Sequence, residues 1–119
     1  MPKVPPRFER GEVVWLAYPR ADGTGADPHR AVIVQNTSLK TPYDEFIVAV
    51  ITSKLKENPG TRPLIRANTP EGREVGLTRD SHIALDDLAT VPRYVVWEHC
   101  GTCPIMADVD VALRRALRL

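Results

Sequence analysis

Arg30 stands at the junction between the Gly-, Asp- and Pro-rich segment from Gly23 to His29 and the apolar run Ala31-Val32-Ile33-Val34. A guanidinium whose backbone is fixed by a buried strand while its head faces a loop suits the grip of an anion such as a phosphate, because its fork of donors matches two oxygens at once. An arginine that merely closes a strand leaves the same pattern. A second polar group lies at Thr52-Ser53-Lys54, where hydroxyls and a cation end the apolar run from Phe46 to Ile51. Polar groups at the mouth of a central strand are where sites are commonly built. His29 has the intrinsic pKa of a proton carrier, but in an extended chain it points to the face opposite Arg30. Cys100-Gly101-Thr102-Cys103 holds both cysteines. A redox pair of this spacing normally opens a helix after a strand, and zinc normally takes four ligands. With His99 the only neighbouring ligand and no second pair following, two reduced structural thiols are the favoured reading, and no metal or cofactor is expected.

The composition narrows the rest. With 119 residues the chain is long enough for one domain with a modest core and no disulfide or metal. A formal net charge of +1 gives no overall basic field, so contact with a nucleic acid must come from a local cluster. No apolar run approaches membrane-spanning length, and residues 1–10 lack the apolar centre of a signal peptide, so a cytoplasmic protein without membrane contact is expected.

The elements that must position these groups are mainly strands. Residues 1–10, with three prolines, read as a flexible arm, and residues 11–119 as a single domain. Strands are predicted over residues 13–18, 31–35, 46–51, 64–67, 81–85 and 94–97. Residues 19–28 read as a flap long enough to close over Arg30. Residues 69–79 hold Pro70, Gly72 and Gly76, too many breakers for a helix, and Asp86-Asp87 reads as an acidic turn. The final segment is helical, with Thr102 as its N-cap and Met106, Val109, Leu113, Ala116 and Leu117 forming one apolar stripe. Early Asp108 and Asp110 and late Arg114, Arg115 and Arg118 complement the helix dipole, which accounts for these charges without a partner. The whole reads as a mainly β (α+β) fold, a small antiparallel barrel or curved sheet closed by a C-terminal helix.

Five pieces in order resemble one family. Arg10-Gly11-Glu12-Val13-Val14-Trp15, then Gly23 with His29-Arg30-Ala31-Val32-Ile33-Val34, then Val50-Ile51-Thr52-Ser53-Lys54, then Asp80-Ser81 leading to Leu85-Asp86, and finally Val109-Asp110 and Ala112 to Arg115, follow the pattern of the MazF/PemK (Kid) toxins. The resemblance covers Arg10 to Leu119. It implies an SH3-like, CcdB-like barrel, a homodimer, a metal-independent endoribonuclease acting on single-stranded RNA, and inhibition by a cognate antitoxin. It also implies that Arg30 and Thr52 are the catalytic pair, with Ser53, Lys54, His29 and Asp86 around the substrate. The chemistry would be attack of a 2′-hydroxyl on the neighbouring phosphorus, giving a 2′,3′-cyclic phosphate and a 5′-hydroxyl. The sequence departs from the family at Ala31, where a proline usually follows the arginine, at Gly25, where many members carry Glu, and at Ala84 and Ala89, which replace basic residues. A non-catalytic module on the same fold, binding an antitoxin or poisoning a topoisomerase as CcdB does, is the alternative.

Overall fold

The computed structural model describes residues 8–39 and 41–119. Of the segment read as a flexible arm, residues 1–7 lie outside the described residues. Arg10 is pinned: its Nε donates to the Val34 carbonyl at 2.9 Å and its Nη2 meets Asp110 at 2.7 Å.

In β3 (Glu45–Thr52), apolar residues run unbroken from Phe46 to Ile51, and from Val48 to Ile51 both sides of the strand face apolar packing, whereas Ile47 is exposed. Phe46, Val48 and Val50 join one core with Val14, Leu16, Tyr18, Ala31 and Ile33. Ala49 and Ile51 join the other with Val13, Val32, Ile83 and Leu85, and there Val109 and Ala112 of α2 (Met106–Leu117) complete the packing. β1 (Glu12–Pro19) and β2 (Ala26–Ile33) precede β3, and β4 (Leu64–Ile65), α1 (Pro70–Glu74), β5 (Ser81–Pro92), a 3-10 turn (Arg93–Val95) and β6 (Val96–Thr102) follow it. The strands form one antiparallel sheet in the order β4-β5-β3-β2-β1-β6. The sheet is curled, since the Tyr18 hydroxyl on β1 donates to the Asp87 carbonyl on β5 at 2.7 Å although two strands separate them. This half-barrel with a C-terminal helix is the mainly β architecture expected. Among the described residues no helix is long and apolar enough to cross a membrane.

Several boundaries move, each for a physical reason. β2 begins at Ala26 and pairs with β1 down to Pro19 opposite Ala26, so the predicted flap is a hairpin with a short turn, closed by the Arg20 N–H on the Gly25 carbonyl at 2.8 Å. Pro28 is tolerated because the outer half of β2 has a neighbour on one side only, β3 pairing no further out than Arg30. α1 forms in the segment predicted to hold no helix. Pro70 sits in its first turn, and Thr69 caps it by accepting the Gly72 N–H at 3.1 Å. A side chain at position 72 would lie 2.2 Å from the Arg66 carbonyl oxygen, so glycine is what lets this turn pack. The acidic pair Asp86-Asp87 lies inside β5, in a large bulge: between Ala49 and Ile51 the partner register jumps from Leu88 to Ile83. β6 extends to Thr102, which pairs with Glu12 and so cannot cap α2, and Ile105 takes that position without a side-chain hydrogen bond.

Candidate functional site

Arg30 faces Trp15 on β1 and Ile51 on β3 as register partners, so all three project from the same side of the sheet. Its guanidinium carbon lies 5.4 Å from the centre of the Trp15 ring, a contact worth about 1 kcal/mol. Its Nε is buried without a hydrogen-bond partner. An unmet buried donor costs roughly 1–3 kcal/mol, a cost that a bound anion would remove. The arginine opens on a depression of about 150 Å³ lined also by His29, Ser53, Thr78, Arg79 and Ser81, and no carboxylate lines it. The Ser81 hydroxyl already donates to the Arg79 carbonyl at 2.9 Å, so two guanidinium groups and the hydroxyls of Ser53 and Thr78, without an opposing anion, make an electropositive cup sized for a phosphate.

Cys100 reaches this cluster through an irregularity of β6. Val13 pairs with Gly101 and Val14 with His99, leaving Cys100 as the extra residue of a bulge. Burial pushes its thiol pKa up, and the Arg30 charge facing it opposes the rise. Both cysteines are free, and Cys103 is buried in the core beneath α2, in keeping with the structural reading of the thiols.

Thr52, one residue beyond Ile51, projects from the other side of the sheet with Val50. It lines a second depression, of about 270 Å³, together with Tyr18, Arg20, Asp27, His29, Lys54, Lys56, Arg62 and Asp87. The Thr52 Oγ1 accepts the Lys54 N–H at 3.1 Å, which leaves its hydroxyl hydrogen to donate elsewhere. Arg20 is held by Asp27 through two bonds of 2.9 Å, and the Arg62 Nε donates to Asp86 at 2.9 Å. Lys54 and Lys56 have no ion-pair partner among the described residues. Burial, with the Asp87 charge second, raises the Tyr18 pKa, so the phenol stays protonated and donates to Asp87.

Of the six residues singled out from the sequence, five fall into two adjoining depressions at one end of β2 and β3. Arg30 and Ser53 share the first, Thr52 and Lys54 the second, and His29 alone of the six lines both. Asp86 lines neither and reaches the second through Arg62. Alternation along β2 already separates His29 from Arg30, as expected. Sequence reasoning did not find Trp15, Arg79 or Tyr18 as site neighbours. Period-two pairing of β1 with β2 would have offered Trp15 had the full length of β2 been recognised.

Comparison with known proteins bears on the family and the fold. Residues 9–118 match the family model of the PemK-like, MazF-like toxins of type II toxin–antitoxin systems. No curated protein matches the chain. Among solved structures, the chain is similar to MazF from Deinococcus radiodurans (TM-score 0.71, 18% identity, 93% of this chain and 96% of that one). It is similar also to the Mycobacterium tuberculosis toxin MazF-mt6 (TM-score 0.68, 16% identity, 89% and 97%). A third similar structure is an endoribonuclease in complex with its cognate antitoxin from a mycobacterial species (TM-score 0.68, 18% identity, 93% and 95%).

Proposed function

Because the chain belongs to the PemK-like, MazF-like toxins of type II toxin–antitoxin systems, we propose that it is a cytoplasmic endoribonuclease toxin, a homodimer silenced by its antitoxin. It cleaves single-stranded RNA at selected sequences without a metal ion. The observation that carries this reading is the cup around Arg30, with a dry unpartnered Nε, a second guanidinium and hydroxyl donors but no carboxylate.

The 2′-hydroxyl gives up its proton and attacks the adjacent phosphorus, the pentacoordinate phosphorane gathers charge on its equatorial oxygens, and the P–O5′ bond breaks as the 5′-oxygen takes a proton from solvent. Arg30 meets the developing charge with donors already fixed by Trp15 and the sheet, so little reorganisation is needed. A guanidinium keeps its proton at any ordinary pH and is therefore an electrostatic group here, not the base. His29 is the proton acceptor of this reading, because it borders both depressions while Asp27 and Asp86 are committed to arginines. Thr52 donates its free hydroxyl hydrogen to the RNA backbone at the rim, where Ser53 and Lys54 hold the flanking phosphates, and Asp86 keeps Arg62 in place.

The test is incubation of the purified protein with a long single-stranded RNA in EDTA, followed by end-group analysis. Discrete fragments ending in cyclic phosphate are expected. Arg30→Ala and Thr52→Ala should each lower the cleavage rate by on the order of a hundredfold or more, the usual consequence of losing one stabilising donor. One observation favours the non-catalytic alternative: Arg30 and Thr52 project from opposite sides of the sheet. RNA left intact by folded wild-type protein would select that alternative.

A further inference from the structure

Trp97 is 53% exposed on β6, an outer strand of the sheet, although an indole is among the side chains most favoured for burial. Its position follows from the second irregularity of the β1–β6 ladder. Trp15 pairs with Glu98 and Leu16 with Val96, so Trp97 is the residue the ladder leaves over. A bulge of this kind frees a side chain from strict alternation and re-aims it. Here it brings the Trp97 ring to 6.2 Å from Trp15, tilted by 57°, and Trp15 in turn carries the Arg30 guanidinium at 5.4 Å. The line from Arg30 through Trp15 to Trp97 runs from a guanidinium cup to an open aromatic face.

We propose that Trp97, backed by Trp15, is a stacking platform for a nucleobase of the single-stranded RNA whose phosphate sits at Arg30. The proposal rests on the reading of Arg30 as a phosphate site and adds a base subsite to it. An exposed indole continuous with an anion cup offers the two things a single strand presents side by side, a π-face and a charged backbone. Stacking of this kind tolerates any base, since every base has such a face, so the platform contributes grip and register rather than the choice of sequence. The Arg30 guanidinium is seated on Trp15 and not on Trp97, so Trp97→Ala is expected to leave that contact in place.

The experiment uses the full chain and a fluorescently labelled single-stranded 2′-deoxy oligonucleotide, which lacks the attacking hydroxyl and cannot be cut, beside an abasic oligonucleotide of equal length. Binding is read by anisotropy at fixed salt. Trp97→Ala should weaken binding of the base-bearing strand by roughly 5- to 150-fold, the range measured when a stacking aromatic is truncated, while leaving the abasic strand unchanged. Trp97→Phe should keep most of the affinity. Equal binding of wild type and Trp97→Ala, equal losses on both strands, or no binding by wild-type protein would each overturn the platform. So would a change in oligomeric mass on Trp97→Ala, which would make the indole a protein interface. Cleavage of RNA by the wild-type protein is scored separately: cleavage with unaltered binding in Trp97→Ala sinks the platform alone, whereas a base-dependent loss without any cleavage keeps the platform and removes the nuclease.

Discussion

His82 lies opposite Thr52 across the β3–β5 ladder and opposite Leu64 of β4, only 6% exposed, with its Nδ1 lacking a partner. Burial lowers its pKa below the usual value of 6.5, and the nearby Arg62 charge lowers it further. The folded protein therefore resists taking up this proton while the unfolded chain accepts it. Above pH 6.5 both states are neutral and the contribution is at its full value. As the pH falls from there toward the lowered folded value, the unfolded state binds more protons and stability is lost. His82→Gln removes the titration, so the melting temperature of wild type should fall more than that of the variant on acidification through this window. Parallel falls would show that carboxylates elsewhere dominate. Legibility at this scale was uneven: the loop-to-strand junction at Arg30 and the polar strand end at Thr52 mark themselves in sequence. Their division between two sides of the sheet needs the register of Arg30 on Ile51, which no local pattern carries.

The elements that hold the cup are coupled through Gly101. This residue of β6 has φ of +143°, and a Cβ there would lie 2.5 Å from the Glu74 carbonyl at the end of α1. Gly101→Ala combines backbone strain with a clash against main chain, and should cost more than about 1 kcal/mol, read as a lower denaturation midpoint at unchanged slope. It should also disturb the bulge that delivers Cys100 to Arg30. A midpoint equal to wild type would mean that α1 moves freely away from β6. Apolar runs made β1 and β3 readable, and charge order together with the apolar stripe made α2 readable. What escaped were elements whose local chemistry argues the other way. Pro28 and its glycine neighbours hid the outer half of β2, the breakers Pro70 and Gly72 turned out to be the first-turn residue of α1 and its close contact, and Asp86-Asp87 mimicked a turn because β5 bulges there. In each case tertiary pairing overrode propensity.

At the scale of the whole molecule the charges nearly cancel, 16 cations against 15 carboxylates, so long-range attraction for RNA is weak and affinity must come from cations left unpaired near the cup. Arg30 and Arg79 on one side of the rim, and Lys54 and Lys56 on the other, have carboxylate partners nowhere among the described residues, whereas Arg20 and Arg62 are each bound to an aspartate. A strand crossing from one depression to the other would release a counterion at each phosphate these groups neutralise. For single strands the slope of log K against log salt is roughly −0.7 per phosphate. The double variant Lys54→Gln, Lys56→Gln should therefore make the slope less steep by about 1.4, and weaken binding by similar factors for oligonucleotides of different sequence. An isothermal salt titration of an uncleavable 2′-deoxy strand reads this directly. If the slope keeps its wild-type value while Arg79→Gln reduces it, the nucleic acid runs along the Arg30 side alone. Thr52 would then lie off its path, and catalysis would have to be assigned within the Arg30 cup and to His29.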